Sequence, residues 1–386
     1  VLYLAYCGLH LAQIGLLEGI YHATSIVCEI PSGAAADLWG RKRCMILSNL
    51  CIAVSCVIML FSKSFGWFAV SFAVQALGNN LNSGSEEALV YDSMKCLGQE
   101  EHYMGVYGRL NVLIEVAQGL ATVAGGVLAE FSYFWCYAAC VVIAVLALLP
   151  VLGMAEPPQC SKAADTAGGS AKDAPAEGTP AQRTIWETVK HHFAVSACIL
   201  QKDARIGKII GFYSVVFAAH TLLFFYSQQY FADFGYNKVQ ISVIMLLVGG
   251  ASCLGALASA KMYRRFGKRC LIPETVIIAA AILCYGSGKA GVAAAALMCA
   301  GFANAALYPV QSDSLNALIP SEQRATLISV DSMCFSIAMI VLFPLAGAFA
   351  DRWGLKTVLL LLGAILLLFL LAAFCIEKES FSSDHS

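Results

Sequence analysis

Apolar residues run through this chain in long blocks, broken by short polar or glycine-containing turns, and the alternation of a half-buried strand does not occur. Charge-free stretches fall at 44–62, 64–85, 131–155, 239–260, 290–312, 332–350 and 357–376. Each has about the 20 residues that a helix rising 1.5 Å per residue needs to cross ~30 Å of hydrocarbon. Four further stretches, 12–38, 103–130, 207–233 and 270–288, are long enough and carry isolated ionisable groups. Lipid leaves the backbone only the helix or the closed barrel, and barrel alternation is missing, so the pattern predicts eleven complete membrane-spanning helices. Residues 156–184 are rich in Ala, Gly, Pro, Ser and charge without a hydrophobic period, and read as a linker. Ile185, Trp186, Val189 and Phe193 set against Lys190, His191 and His192 predict a short interfacial helix after it.

Composition agrees with lipid as the solvent. Hydrophobic residues make up 59% of the 386 and charged residues 13%, about half the charge of an ordinary soluble domain. The 16 cysteines form no CxxC pair; they read as small apolar fillers, with no metal site and no disulfide framework expected. A net charge of −1 excludes a broad nucleic-acid surface. The basic residues orient the chain. If the turn at 39–43 is cytoplasmic, only Lys63, Lys238, Lys289, Arg352 and Lys356 of the 24 Lys and Arg fall on the other side, and the C-terminus is cytoplasmic.

The chain repeats itself. Gly33 precedes Asp37, Gly126 precedes Glu130, Gly255 precedes Ser259 and Gly347 precedes Asp351, each by four residues. The spacing predicts a three-helix unit used twice in each half. The first junction, Gly33-Ala-Ala-Ala-Asp37-Leu-Trp-Gly40-Arg41-Lys42, resembles the loop between the second and third helices of major facilitator superfamily transporters. That resemblance covers about 1–154 and 206–378. It implies two pseudo-symmetric six-helix bundles, an N-terminal one at 1–154 and a C-terminal one at 206–378. They are joined by a cytoplasmic linker at 155–205 and followed by a tail at 379–386. About nine residues precede the second span, so a truncated first helix is expected, leaving eleven complete helices and a stub.

The resemblance further implies that Gly33, Asp37, Gly40, Arg41 and Lys42 form a gating motif, with Arg41 paired to Asp92 and Asp37 facing the start of a helix near Arg324. Asp313 is repeat-equivalent to Asp92 and is expected to meet Arg264, Arg265, Lys268 and Arg269. Ionisable groups inside lipid are costly and need partners or water, which makes Glu29, Glu87, Glu115 and Asp331 proton-coupling candidates. Phe217, His220, Phe224, Tyr226, Gln228 and Gln229 lie on the helix that lines the cavity in the resembled fold.

The functional expectation is secondary active transport of a small molecule by alternating access, with proton-coupled efflux of hydrophobic drug-like compounds first. Proton-coupled or facilitated uptake of a nutrient or metabolite is the alternative. No cofactor is expected beyond a proton gradient, and no nucleic-acid partner. A monomer in a bacterial inner membrane is expected. A membrane-embedded enzyme would need a clustered nucleophile and base or metal ligands, and no HExxH, GxSxG or phosphate loop occurs. A transport-dead receptor would normally carry a long tail or a large soluble domain.

Overall fold

The computed structural model describes residues 1–83, 85–155, 204–267, 271–316 and 324–383. The linker and interfacial helix expected at 155–205 lie, apart from their first and last residues, outside the described residues. Among the described residues the chain is helical with no strand: α1 Leu2–Tyr6, α2 Leu11–Trp39, α3 Arg41–Phe61, α4 Phe65–Asn82, α5 Ser85–Cys96, α6 Tyr103–Phe131 and α7 Tyr133–Gly153 come first. They are followed by α8 Ala204–Asp233, α9 Lys238–Phe266, α10 Leu271–Cys284, α11 Ala290–Asn316, α12 Arg324–Trp353 and α13 Leu355–Ser383. Among the described residues seven helices are long and apolar enough to cross a membrane, and 271–287 and 355–371 are shorter apolar helices. The expected spans at 12–38 and 64–85 coincide with α2 and α4. Glu18, Glu29 and Asp37 in α2, and Asn79, Asn80 and Asn82 in α4, make these two more polar.

The fourth span departs from expectation. The sequence predicts a helix over the stretch 64–85, but α4 stops at Asn82. Ser83 turns out of the helix at φ −56°, ψ 127°, and α5 begins again at Ser85. Asn79-Asn80 and Asn82-Ser83 are weak helix formers whose side chains compete for backbone groups. Asp92 therefore stands on a separate short helix.

Two compact units make up the chain: Val1–His22, Gly119–Tyr133 and Ile199–Ser386 form one, and Ala23–Gln118 with Phe134–Cys198 the other. The start of α2 and the α6–α7 corner thus pack with the later helices. In the first unit the core is built on fully buried Tyr226, Tyr285, Phe231 and Phe343. Two of the buried phenols reach backbone acceptors, Tyr226 donating to Phe343 O at 3.2 Å and Tyr230 to Tyr285 O at 2.9 Å. This satisfies groups that lipid could not. The α9 start is written in sequence as Asn237-Lys-Val-Gln240, and both arms of the capping box are present.

In the second unit α3 and α4 are held by small residues. Ser55 Oγ donates to Ser71 O at 3.0 Å and Ser71 Oγ returns a bond to Ser55 O at 2.9 Å. A Cβ on Gly78 would lie 3.1 Å from both Cys51 Cβ and Ser48 O. Close backbone approach of this kind is how helices associate where there is no hydrophobic force between them.

Candidate functional site

The four Gly-x-x-x-polar junctions are the natural starting point, because in three of them the glycine packs on another helix and the polar residue hydrogen-bonds to that same helix. At the end of α12, Gly347 packs on the first turn of α2, where a Cβ would run into the Leu11 carbonyl. Four residues on, Asp351 accepts from Leu11 N at 3.0 Å (Oδ1) and from Ala12 N at 2.8 Å (Oδ2). These are opening amides of α2, which have no partner within the helix, and the carboxylate also faces the positive end of its dipole. At the end of α6, Gly126 packs on Ser242 of α9. Glu130 Oε2 accepts from Lys238 N, the first amide of α9, at 3.2 Å. Lys238 Nζ donates to Ala129 O at 2.6 Å and sits 4.5 Å from the centre of the Tyr133 ring. The third junction is neutral: Gly255 packs on the Phe302 carbonyl and Ser259 Oγ donates to Ala306 O at 2.8 Å.

The fourth junction differs. A Cβ on Gly33 would meet nothing within 4 Å, and the Asp37 side chain lies outside the described residues. Gly40 takes φ 90°, which favours glycine, and lets α3 start at Arg41. Arg41 Nη1 lies 2.5 Å from Asp92 Oδ2, both side chains partly exposed at 26% and 37%. Lys42 Nζ donates to Leu152 O at 2.8 Å, near the end of α7. The structure thus brings together Arg41, Lys42 and Asp92 around the ends of α3, α5 and α7.

Asp313 does not meet the two described members of its expected basic cluster. It is exposed and makes no ion pair with Arg264 or Arg265 among the described residues, Arg265 instead lying 5.5 Å from the Phe266 ring centre. Both arginines are themselves exposed, so water solvates the three charges separately and little is gained by pairing. Lys268 and Arg269 lie outside the described residues.

The α2–α12 contact continues inward from Asp351 as a regular series. Gly15 packs on the Phe343 carbonyl and Pro344, and a Cβ on Gly19 would lie 3.5 Å from Pro344 Cγ and 3.6 Å from Ile340 O. His22 Nδ1 lies 3.3 Å from Ser336 Oγ, with the imidazole edge-on to Phe335 at 5.7 Å. Partners on α12 retreat by about four residues as those on α2 advance by about four, the signature of antiparallel helices meeting once per turn.

Deeper still, Gln311 Nε2 approaches Asp331 Oδ1 at 3.5 Å, so Asp331 is a half-buried acid with a neutral neighbour. Glu115 is exposed on α6 and Glu29 half-buried on α2; the Glu87 side chain lies outside the described residues. On α8, Phe217 meets Tyr308 of α11 with ring centres 5.8 Å apart. One turn along from these rings, His220 Nε2 and Asn304 Oδ1 are buried without a hydrogen-bond partner among the described residues. Gln228 is half-buried, and Gln229 donates to Asp233 at 2.8 Å while its Oε1 is buried and unpaired. Phe224 stacks edge-on to Phe225. Tyr226 departs from its expected place on a cavity wall: it is 1% exposed and its hydroxyl is committed to Phe343 O.

Glu18, His22 and Asn304 went unnoticed in the sequence. The spacing of Glu18 and His22, two ionisable residues four apart on one face of a span, is visible there; what that face meets is not.

An all-helical, multi-pass membrane protein whose glycine junctions lock helix ends is the class these features define. The family model of the Major Facilitator Superfamily matches residues 2–287 and 275–385, and the chain belongs to that family. It is 19% identical over 371 residues to the uncharacterized MFS-type transporter YxaM of Bacillus subtilis (strain 168), covering 95% of this chain and 88% of that one. It is 29% identical over 137 residues to an uncharacterized transporter of Buchnera aphidicola subsp. Schizaphis graminum, a match spanning 34% of each chain. Among solved structures it is similar to the nucleoside transporter NupG, with a TM-score of 0.73, 15% identity and 96% and 92% coverage. It is also similar to a D-xylose-proton symporter, with a TM-score of 0.68, 14% identity and 93% and 87% coverage.

Proposed function

We propose that the chain is a secondary active transporter working by alternating access, and that it takes up a small, uncharged, ring-bearing polar metabolite. The observation that carries the mechanism is the pair of charged junctions within the first unit, where Asp351 and Glu130 accept from the opening amides of α2 and α9 beside the packed Gly347 and Gly126. Charged caps that seat one helix end on the first amides of another can be made and broken as a helix end moves, which is what a two-state carrier needs. With the Arg41 end cytoplasmic, as its basic residues favour, the α2–α12 and α6–α9 contacts form the outer gate. Arg41–Asp92 holds α3 and α5 together at the inner end.

The layer of Phe217, Tyr308, His220 and Asn304 supports the substrate class. Two aromatic rings lie beside unpaired buried polar atoms, each costing about 1–3 kcal/mol until something bonds to it. A solute with a flat face and adjacent donor and acceptor groups fits that chemistry. Nucleosides and D-xylose, for which the two similar transporters above are named, are the first probes. Efflux of hydrophobic compounds is a second reading, favoured by the half-buried aromatic rings of Phe217 and Phe224. Proteoliposomes holding the full-length protein are tested for counterflow of uridine, xylose and a lipophilic cation. Uridine or xylose exchange reduced at least tenfold by His220→Ala and Asn304→Ala is the expected result. Exchange of the cation alone refutes the uptake reading.

A further inference from the structure

Two thiols meet on the seam between α3 and α7, both helices of the second unit. The helices run antiparallel and hold one register along that seam. Lys42 Nζ donates to Leu152 O at 2.8 Å at one end, and Met45 shares a buried cluster with Val151 and Leu89 one step further along. Cys56 lies eleven residues beyond Met45, and Cys140 eleven residues before Val151. Eleven residues make about three full turns at 3.6 residues per turn, so both cysteines return to the faces on which the two helices meet. Their thiols hydrogen-bond to each other. Cys56 is half-buried and Cys140 exposed, so one sulfur is shielded and the other is open to the membrane. Phe61 ends α3 and Tyr133 starts α7, which puts the pair about 8–10 Å along the helices from their ends remote from Arg41.

We infer that Cys56 and Cys140 are a dithiol modification site, which hydrogen peroxide closes into a disulfide joining α3 to α7. The exposed Cys140 sulfur attacks one peroxide oxygen: an S–O bond forms, the O–O bond breaks, and the departing oxygen takes the thiol proton to leave as water. The Cys56 sulfur then attacks the Cys140 sulfur, forming S–S and breaking S–O, and the second water carries off the Cys56 proton. The two sulfurs lose two electrons between them, and the peroxide is reduced to two waters. A soft monovalent cation is the other ligand that two thiols invite. Its complex with two thiolates carries −1 and is costly in lipid, whereas the two thiols and the disulfide are all neutral. With the Arg41 end cytoplasmic, as proposed above, the pair lies towards the outside, where disulfides persist. Both cysteines belong to one unit, so the bond fastens α7 to the α3–α4 hairpin that Ser55 and Ser71 already tie. The site needs no transport cycle and stands independently of the transport reading.

The full-length protein in nanodiscs is treated with hydrogen peroxide and mapped by mass spectrometry without reduction. The expected product is a pair of peptides linked through Cys56 and Cys140, returned to free thiols by a phosphine. At the same dose the exposed Cys253 and Cys299 pass through sulfenic acid to the sulfinic and sulfonic acids that a phosphine does not reverse. In Cys56→Ser, Cys140 is trapped by dimedone as its sulfenic acid and then over-oxidises like Cys253. In Cys140→Ser the shielded Cys56 remains a thiol. Linkage in the wild type is expected to raise the unfolding temperature by on the order of 5 °C, a gain that both variants lack. The mapping and the melting curve are made first on the wild-type protein, so the test stands whether or not a variant folds. Absence of the Cys56–Cys140 link at every dose overturns the proposal, as does Cys140 joining other cysteines to the same extent in wild type and Cys56→Ser. An unfolding temperature unchanged after complete linkage overturns the fastening of α7 to α3.

Discussion

Replacing Asp351 with Asn tests how far one carboxylate holds the α2–α12 contact proposed above as the outer gate. The wild-type group accepts two amide hydrogen bonds, at 3.0 and 2.8 Å, and places a full negative charge at the start of a 29-residue helix. Asn keeps one acceptor oxygen but turns an NH2 donor towards the second amide. The variant thus loses one charge-assisted bond of about 1.5–3 kcal/mol and a charge–dipole attraction of about 0.3–1 kcal/mol. The site is exposed, so the lower part of each range applies, for a total of about 2 kcal/mol. That converts to a roughly 30-fold shift from closed to open, at ~1.4 kcal/mol per tenfold. The measurement is the population of the short distance between spin labels introduced as unnatural amino acids at His10 and Trp353, both exposed and flanking the contact. Asp313→Asn is the matched control: the residue is exposed and makes no ion pair among the described residues. A distance distribution in Asp351→Asn identical to wild type would show that the cap contributes nothing, and the reasoning from helix ends would fail.

Other expectations follow from the same geometry. Gly347→Trp drives a large side chain into the Leu11 carbonyl, so the gate should stay open and counterflow stop, while binding of an externally added solute persists; normal exchange refutes the contact. Arg41→Asp and Asp92→Arg should each lower thermal stability slightly, by about 1 kcal/mol for a half-exposed pair, and the double swap should recover most of it. Asp331→Asn should abolish accumulation driven by a proton gradient but leave gradient-free exchange within about twofold; retained accumulation removes Asp331 from coupling. Gly78→Leu has to push apart α3 and α4, whose backbones approach at Ser48 and Cys51. It should cost at least 2 kcal/mol by the usual scale of overpacking, read as a loss of monodisperse protein after detergent extraction.

The spans could be read from the sequence because lipid imposes one period, one length and almost no charge on every segment, so 131–155 and 239–260 announce α7 and α9 without any knowledge of their neighbours. The α4 break was harder to see, since an apolar run from 64 to 85 outweighs three asparagines in any average over the segment. The Arg41–Asp92 contact could be anticipated through a motif whose partner sits at a fixed repeat position. The same logic does not pair Asp313 with Arg264 or Arg265, because equivalence of position does not guarantee that solvated charges will pair. Glu18, His22 and Asn304 were passed over for a different reason. Their significance depends on which face of α2 meets α12, and on which helix lies beside α11, and neither is written in local periodicity.

The serine pair between α3 and α4 has a consequence for how the protein is made. Ser55 and Ser71 are 16 residues apart, so this hairpin can satisfy its own hydroxyls as soon as both helices have left the ribosome. The His22–Ser336 bond spans 314 residues and the Asp351 cap on α2 spans 340. During synthesis α2 must therefore wait in or beside the membrane with its amides uncapped and its acid and imidazole unpacked, while almost the whole chain is translated. The α2–α12 contact is assembled last, and faults anywhere downstream, even in helices that never touch α2, leave His22 in lipid without Ser336 and the α2 amides without their cap.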